Sequence, residues 1–201
     1  DPDALVLSDV YGSVRGLSIA GHGEGGGALR WQLEPERTQL KAQLSATDMA
    51  DVMRQWEAPQ SLESESAVYQ LALSWPGDPS AFELAKLEGD VATVIGSGRF
   101  IRDSAIAGEG LLRLMGLFNF DSLARRLRLD FSDLYKSGLT FDEITGAVHF
   151  DAGQMVVAEP VLLRTPSSRM QLTGTVDLVD QTLDTRLVAT LPMGGNLTVI
   201  A

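Results

Sequence analysis

Apolar and polar residues alternate with a period of two over most of this chain, most clearly after residue 141. Ile144, Gly146, Val148 and Phe150 fall on one side of a strand, and Thr145, Ala147, His149 and Asp151 on the other. Asp151-Ala152-Gly153 turns the chain into a strand over residues 155–163. Met170, Leu172, Gly174, Val176 and Leu178 then oppose Gln171, Thr173, Thr175 and Asp177. After a turn at Asp180-Gln181, Leu183, Thr185, Leu187, Ala189 and Leu191 oppose Asp184, Arg186, Val188 and Thr190. Successive side chains of a strand point to opposite faces, so this pattern predicts an antiparallel meander with one apolar and one wet face. A continuous apolar face must be covered by helices, a second sheet or a ligand.

The first half follows the same rhythm with interruptions. Residues 5–20 predict two short strands around Tyr11-Gly12-Ser13. Residues 28–33 and 39–44, joined through Glu34-Pro35-Glu36-Arg37, predict a hairpin. Thr47 or Asp48 caps a short helix with the apolar stripe Met49, Val52, Met53 and Trp56, ended by Pro59. Residues 68–75 read as a strand, Pro76-Gly77-Asp78-Pro79 as a firm turn, and 82–95 as one or two strands. Gly96-Ser97-Gly98 then turns the chain into residues 99–102.

Residues 108–146 break the pattern. Leu111, Leu114, Met115 and Phe118 stand at i, i+3, i+4 and i+7, the spacing of one helix face, and Asp121 is placed to cap a second short helix to Arg126. Leu127, Leu129 and Phe131 return to alternation before a turn at Lys136-Ser137-Gly138. The expected architecture is mainly β with a few short helices. It is a long antiparallel meander, with a helical insertion at about 108–126 that caps or plugs the sheet.

Composition narrows the function. With 201 residues, 44% hydrophobic and 21% charged, the chain is one domain or a piece of a larger protein and can bury a core. It begins at Asp1-Pro2, with no basic leader and no apolar run of bilayer length, so it is expected to be a single region, 1–201, of a longer protein. A net charge of -11 argues against a nucleic-acid surface. The absence of cysteine excludes disulfides, thiolate metal sites and cysteine nucleophiles.

Candidate chemistry is sparse. Gly21-His22-Gly23-Glu24-Gly25-Gly26 has the letters of a dinucleotide loop, but strand-like residues 28–33 follow instead of the helix N-terminus that receives a pyrophosphate. A plain turn is the better reading, and no cofactor is expected. His22 sits among glycines and His149 on a polar strand face, with no Gly-x-Ser-x-Gly elbow to serve either. Two histidines without metal-ligand spacing make a poor ligand set, so neither a catalytic nor a metal residue is assigned. Acidic pairs such as Glu63/Glu65 and Asp142/Glu143 read as solvated surface. Arg113, Arg125, Arg126 and Arg128 form a basic cluster. It suits anionic lipid headgroups, although pairing with Asp121, Asp130 and Asp133 is the favoured reading.

Several segments carry a family resemblance. Leu73-Ser74-Trp75-Pro76-Gly77-Asp78-Pro79, followed by Leu87-Glu88-Gly89-Asp90, resembles the strand–WPG–strand segment of the YhdP proteins, large AsmA-like envelope proteins of Gram-negative bacteria. Leu114-Met115-Gly116-Leu117, Ser122 to Leu127, Leu129 to Leu134, Phe141 to Gly146 and Gly174 to Val179 are similar to segments of that family's C-terminal portion, in the same order. The resemblance covers residues 60–192 well and the first sixty more loosely. It implies part of a periplasmic protein anchored in the inner membrane outside this chain. Such a protein carries phospholipid along an apolar, taco-like β-groove towards the outer membrane and its components.

Two functions are therefore weighed. In the first, phospholipid acyl chains lie on Val148, Phe150, Met170, Leu172, Val176, Leu187 and Leu191. In the second, the chain is a structural or interaction module of the envelope whose helices seal the same face. An enzyme ranks behind both, because no paired carboxylates or nucleophile and base stand at meaningful spacing.

Overall fold

A computed structural model describes residues 3–20, 27–58, 60, 62–101, 140–180, 182–191 and 195–200, with Ala20, Leu191 and residues 195–200 described by their backbone. The fold is mainly β. Among the described residues fifteen strands follow in chain order: β1 (Ala4–Val10), β2 (Gly12–Val14), β3 (Leu17–Ala20), β4 (Gly27–Leu33), β5 (Glu36–Ala46), β6 (Leu62–Ser64), β7 (Ala67–Pro76), β8 (Glu88–Ile95), β9 (Gly98–Phe100), β10 (Thr140–Phe141), β11 (Glu143–Asp151), β12 (Gln154–Thr165), β13 (Ser168–Asp177), β14 (Thr182–Leu191) and β15 (Gly195–Ile200). One α-helix, α1 (Met49–Gln55), and a 3-10 turn (Leu84–Lys86) complete the described elements.

Twelve strands make one antiparallel sheet in the order β1-β4-β5-β7-β8-β11-β12-β13-β14-β15, and β3 pairs with both β2 and β5. The path runs from β1 to β15 without closing into a barrel. The meander read after residue 141 is observed as β11 to β15. The earlier part departs from it, because β6, β9 and β10 leave the large sheet and form a three-stranded sheet of their own. Their residues Leu62, Phe100 and Phe141 pack onto Ala46, Ala67, Ile95 and Leu163 at one end of the strands.

The helix is where its cap predicts. The Asp48 carboxylate accepts from the backbone N–H groups of Ala50 at 2.9 Å and Asp51 at 3.2 Å, two of the donors a helix start leaves unpaired. Met49 and Val52 are buried and Met53 packs beside them, so α1 covers the same end of the sheet as the small sheet. Trp56 corrects the expected stripe. It is 45% exposed, with its indole N–H donating to the Arg15 carbonyl and the Arg15 guanidinium lying 5.2 Å from its ring centroid.

One other expectation is corrected. Residues 5–20 form three strands, because Arg15 and Gly16 both take positive φ and turn β2 back onto β3. Residues 82–95 hold one strand, as expected, preceded by the 3-10 turn. The helices and strand expected over 108–134, including the insertion at about 108–126, lie outside the described residues.

Turns and strand irregularities shape the sheet. The Asp177 carboxylate accepts from the backbone N–H of Asp180, Gln154 and the backbone N–H of Val179, which hold its pKa below the usual carboxylate range. That contribution is present above the ordinary carboxylate pKa and is lost as pH falls through the folded value. In β12 the register shifts on both sides around Ala147/Glu159 and Val156/Val161, which places exposed Pro160 in an irregular stretch where its missing N–H leaves no ladder donor absent.

Gly174 has φ +135, and a methyl group there would overlap the carbonyl oxygen of Asp184 on β14. Gly174→Ala is therefore expected to cost more than about 2 kcal/mol in urea denaturation. Gly12→Ala, where an added Cβ meets nothing within 4 Å, should change stability by less than about 0.5 kcal/mol. Equal effects would show that strand geometry at Gly174 does not constrain the sheet.

Candidate functional site

In an antiparallel sheet, directly paired residues share a face, so the observed register decides which side chains stand together. Leu7, Leu29, Leu40, Leu73, Gly89, Phe150, Met155, Val176 and Leu183 are paired in succession from β1 to β14. This row crosses eight strand spacings of about 4.8 Å, or about 38 Å. A second row on the same face runs Ala46, Ala67, Ile95, Ile144, Leu163, Met170 and Ala189. Between them lie Ala42, Leu71, Val91, Val148 and Val157, and then Leu44, Tyr69, Thr93 and Gly146.

None of these positions carries a charge. The charges sit on the opposite face, at Lys41, Asp90, His149, Glu143, Arg164, Arg169, Asp184 and Arg186. The face is thus apolar because the alternation stays in phase across the strands, in spite of the bulge in β12.

Burial divides the face. Phe150 (7% exposed), Leu172 (8%) and Leu187 (7%) are buried, and Phe150 packs with Trp75 and Leu87, against which Val148 and Met155 also lie. Met170 packs on the cluster beneath α1. Leu7 (49%) and Leu183 (46%), at the two flanks, are open. Val148 and Val176 are intermediate.

The residues expected to contact lipid therefore stand together, but not equally accessible. Leu191 ends β14 and pairs with Gly195, and its side chain lies outside the described residues. So do Arg113, Arg125, Arg126 and Arg128. Sequence reading missed Leu7, Leu29, Leu40 and Leu73 as members of the same face. Their alternation was visible, but their alignment with Phe150 is set by long-range pairing.

The opposite face holds His149, with Nδ1 2.7 Å from the Asp90 carboxylate. The positions in register beside this pair are Ala72 and Val156, which bring no nucleophile. Among the described residues, no group of three or more metal-ligating side chains is found, and no helix is long and apolar enough to cross a membrane.

A family model described as YhdP protein matches residues 5–201. Over 203 aligned residues the chain is 25% identical to the "Intermembrane phospholipid transporter YhdP" of Escherichia coli (strain K12), covering 100% of this chain and 16% of that protein. No solved structure matches.

The division of the face has a measurable consequence. Leu172→Ala is expected to cost about 2–4 kcal/mol of unfolding free energy, whereas Leu183→Ala should cost less than about 1 kcal/mol. Equal losses would mean that the flank at β14 is as sealed as the centre.

Proposed function

Because the chain belongs to the YhdP family, we propose that it is a non-enzymatic segment of an envelope protein that moves phospholipid between the inner and outer membranes. Acyl chains lie on the uncharged face of the sheet, across the strands. The observation that carries this reading is the uncharged row in register from β1 to β14. The name of the similar Escherichia coli protein, an intermembrane phospholipid transporter, points the same way.

A face without hydrogen-bonding demands lets an alkyl chain move from row to row, since each buried methylene gains about 0.8 kcal/mol wherever it lies. Val148, Met170, Val176 and Leu191 would touch the lipid with Leu7 and Leu183, over a floor of Phe150, Leu172 and Leu187. The zwitterionic or anionic headgroup stays off the face, and Arg113, Arg125, Arg126 and Arg128 are its candidate contacts. In this reading residues 1–201 form one region of a periplasmic, curved groove, anchored to the inner membrane through another part of the protein and reaching towards outer-membrane components.

The second reading is a structural module with a helix-sealed core. The packing of α1 and the small sheet on one end of the strands, where Phe141 is 2% exposed, favours it locally.

Native mass spectrometry of the chain produced in a bacterial periplasm, with lipid extraction alongside, separates the two. Copurifying phospholipid is expected, and Leu183→Asp should remove it without lowering the melting temperature. A stable, lipid-free wild-type chain would instead support the sealed module.

A further inference from the structure

Three large apolar side chains stand exposed on turns at one end of the sheet. Phe82 (52%) and Leu84 (51%) lie in the connection from β7 to β8, and Val179 (66%) in the turn from β13 to β14. The turn from β11 to β12 brings the two connections together. A Cβ on Gly153 would stand 2.8 Å from Val179 Cγ2 and 3.5 Å from the Ala85 carbonyl oxygen, so both border that glycine. Their neighbours turn inwards instead: Leu87 is buried with Trp75 and Phe150, and Leu178 packs on the same cluster. The exposed three are held in place by local contacts. Phe82 meets the Trp75 ring edge-on, Val179 N–H donates to the Asp177 carboxylate at 2.9 Å, and Ser80 N–H donates to that of Asp78 at 2.6 Å. Single exposed apolar residues are ordinary, but a preorganised group of them marks a surface for binding.

We propose that Phe82, Leu84 and Val179 form a docking surface for a protein segment that presents an apolar stripe flanked by lysine or arginine. Charge selects this partner. The same turns carry exposed Glu83, Asp151 and Asp180, and Lys86, the cation among them, is paired with Glu83 at 2.8 Å. A net acidic rim attracts a basic segment and repels the surface of an anionic bilayer. It also disfavours a second copy of this chain, because a two-fold contact through this patch would set the same carboxylates against one another. An amphipathic helix suits the patch, since its apolar stripe can cover the three side chains while its flanking cations meet the rim. The patch lies at the strand ends, off the rows proposed to carry lipid, and stands independently of that reading.

The test titrates the whole chain with a labelled amphipathic helix of leucine and lysine, and with its counterpart of leucine and glutamate, by fluorescence anisotropy. The wild-type chain is expected to bind the lysine peptide and to prefer it by at least about tenfold, with the preference shrinking as salt is added. Leu84→Ser combined with Val179→Ser should weaken that binding about tenfold without lowering the melting temperature, because both residues are exposed. Leu7→Ser, equally exposed but on β1, should leave it unchanged and so controls for peptide lying on the lipid face. Glu83→Lys combined with Asp180→Lys should erase the preference for the lysine peptide. Binding of neither peptide, or equal binding by the wild-type chain and the double serine variant, would overturn the docking surface. So would cosedimentation with phosphatidylethanolamine–phosphatidylglycerol vesicles that the double serine variant loses, since the patch would then meet a membrane.

Discussion

Everything distinctive in this fold depends on the phase of the alternation. A slip of one residue between neighbouring strands would carry a whole set of side chains to the other face. Across nine strands that slip does not occur. Leu7 is in register with Leu29, Leu40 and Leu73, and Phe150 with Met155, Val176 and Leu183. Where β12 does gain extra residues, its register shifts and then resumes, so that Leu163 still faces Ile144 and Met170. The rows of paired positions on one side of the sheet therefore stay free of charge, with Glu36 at the end of β5 beyond them, while the other side carries Asp90, His149, Arg164 and Arg186.

An open sheet with such a face has to manage its ends. At one end of the strands, α1 and the small sheet lay Met49, Val52, Leu62 and Phe141 over Ala46, Ala67 and Ile95. At the other, Trp75 is buried with Leu87 and Phe150, its indole N–H donates to the Asp78 carbonyl, and Phe82 meets its ring edge-on at 5.4 Å. The middle rows have hydrophobic side chains of intermediate exposure, and the flanking strands are half open. This gradient distinguishes a surface on which alkyl chains can lie from an ordinary core, and it is why a transport segment is a better reading than a scaffold alone.

Much of this was legible in the sequence. The period-two runs from Ile144 to Leu191, the turn at Asp151-Ala152-Gly153 and the Asp48 cap each have a local cause, and each is found in place. Trp56 was misread because helical spacing alone cannot tell a buried stripe from an indole held by Arg15. The third N-terminal strand was missed because Arg15 adopts a positive φ that its residue type does not announce. The small sheet was invisible for a different reason. Leu62–Ser64, Gly98–Phe100 and Thr140–Phe141 are short segments far apart in the chain, and only tertiary pairing joins them. The same holds for the site: face membership was readable strand by strand, whereas Leu7 lying in line with Leu183 was not.

The central claim is that phospholipid occupies one face of the sheet and not the other. Exposed apolar side chains exist on both, which makes a controlled comparison possible: Leu7 and Leu183 on the uncharged face, and Val94 (48% exposed) and Leu162 (41%) on the charged one. A photo-crosslinking amino acid placed at each of these four positions in turn, irradiated in living bacteria, reads the answer directly. Phospholipid adducts at Leu7 and Leu183, with none at Val94 and Leu162, are the predicted result. Adducts on both faces alike, or on neither, would contradict the account.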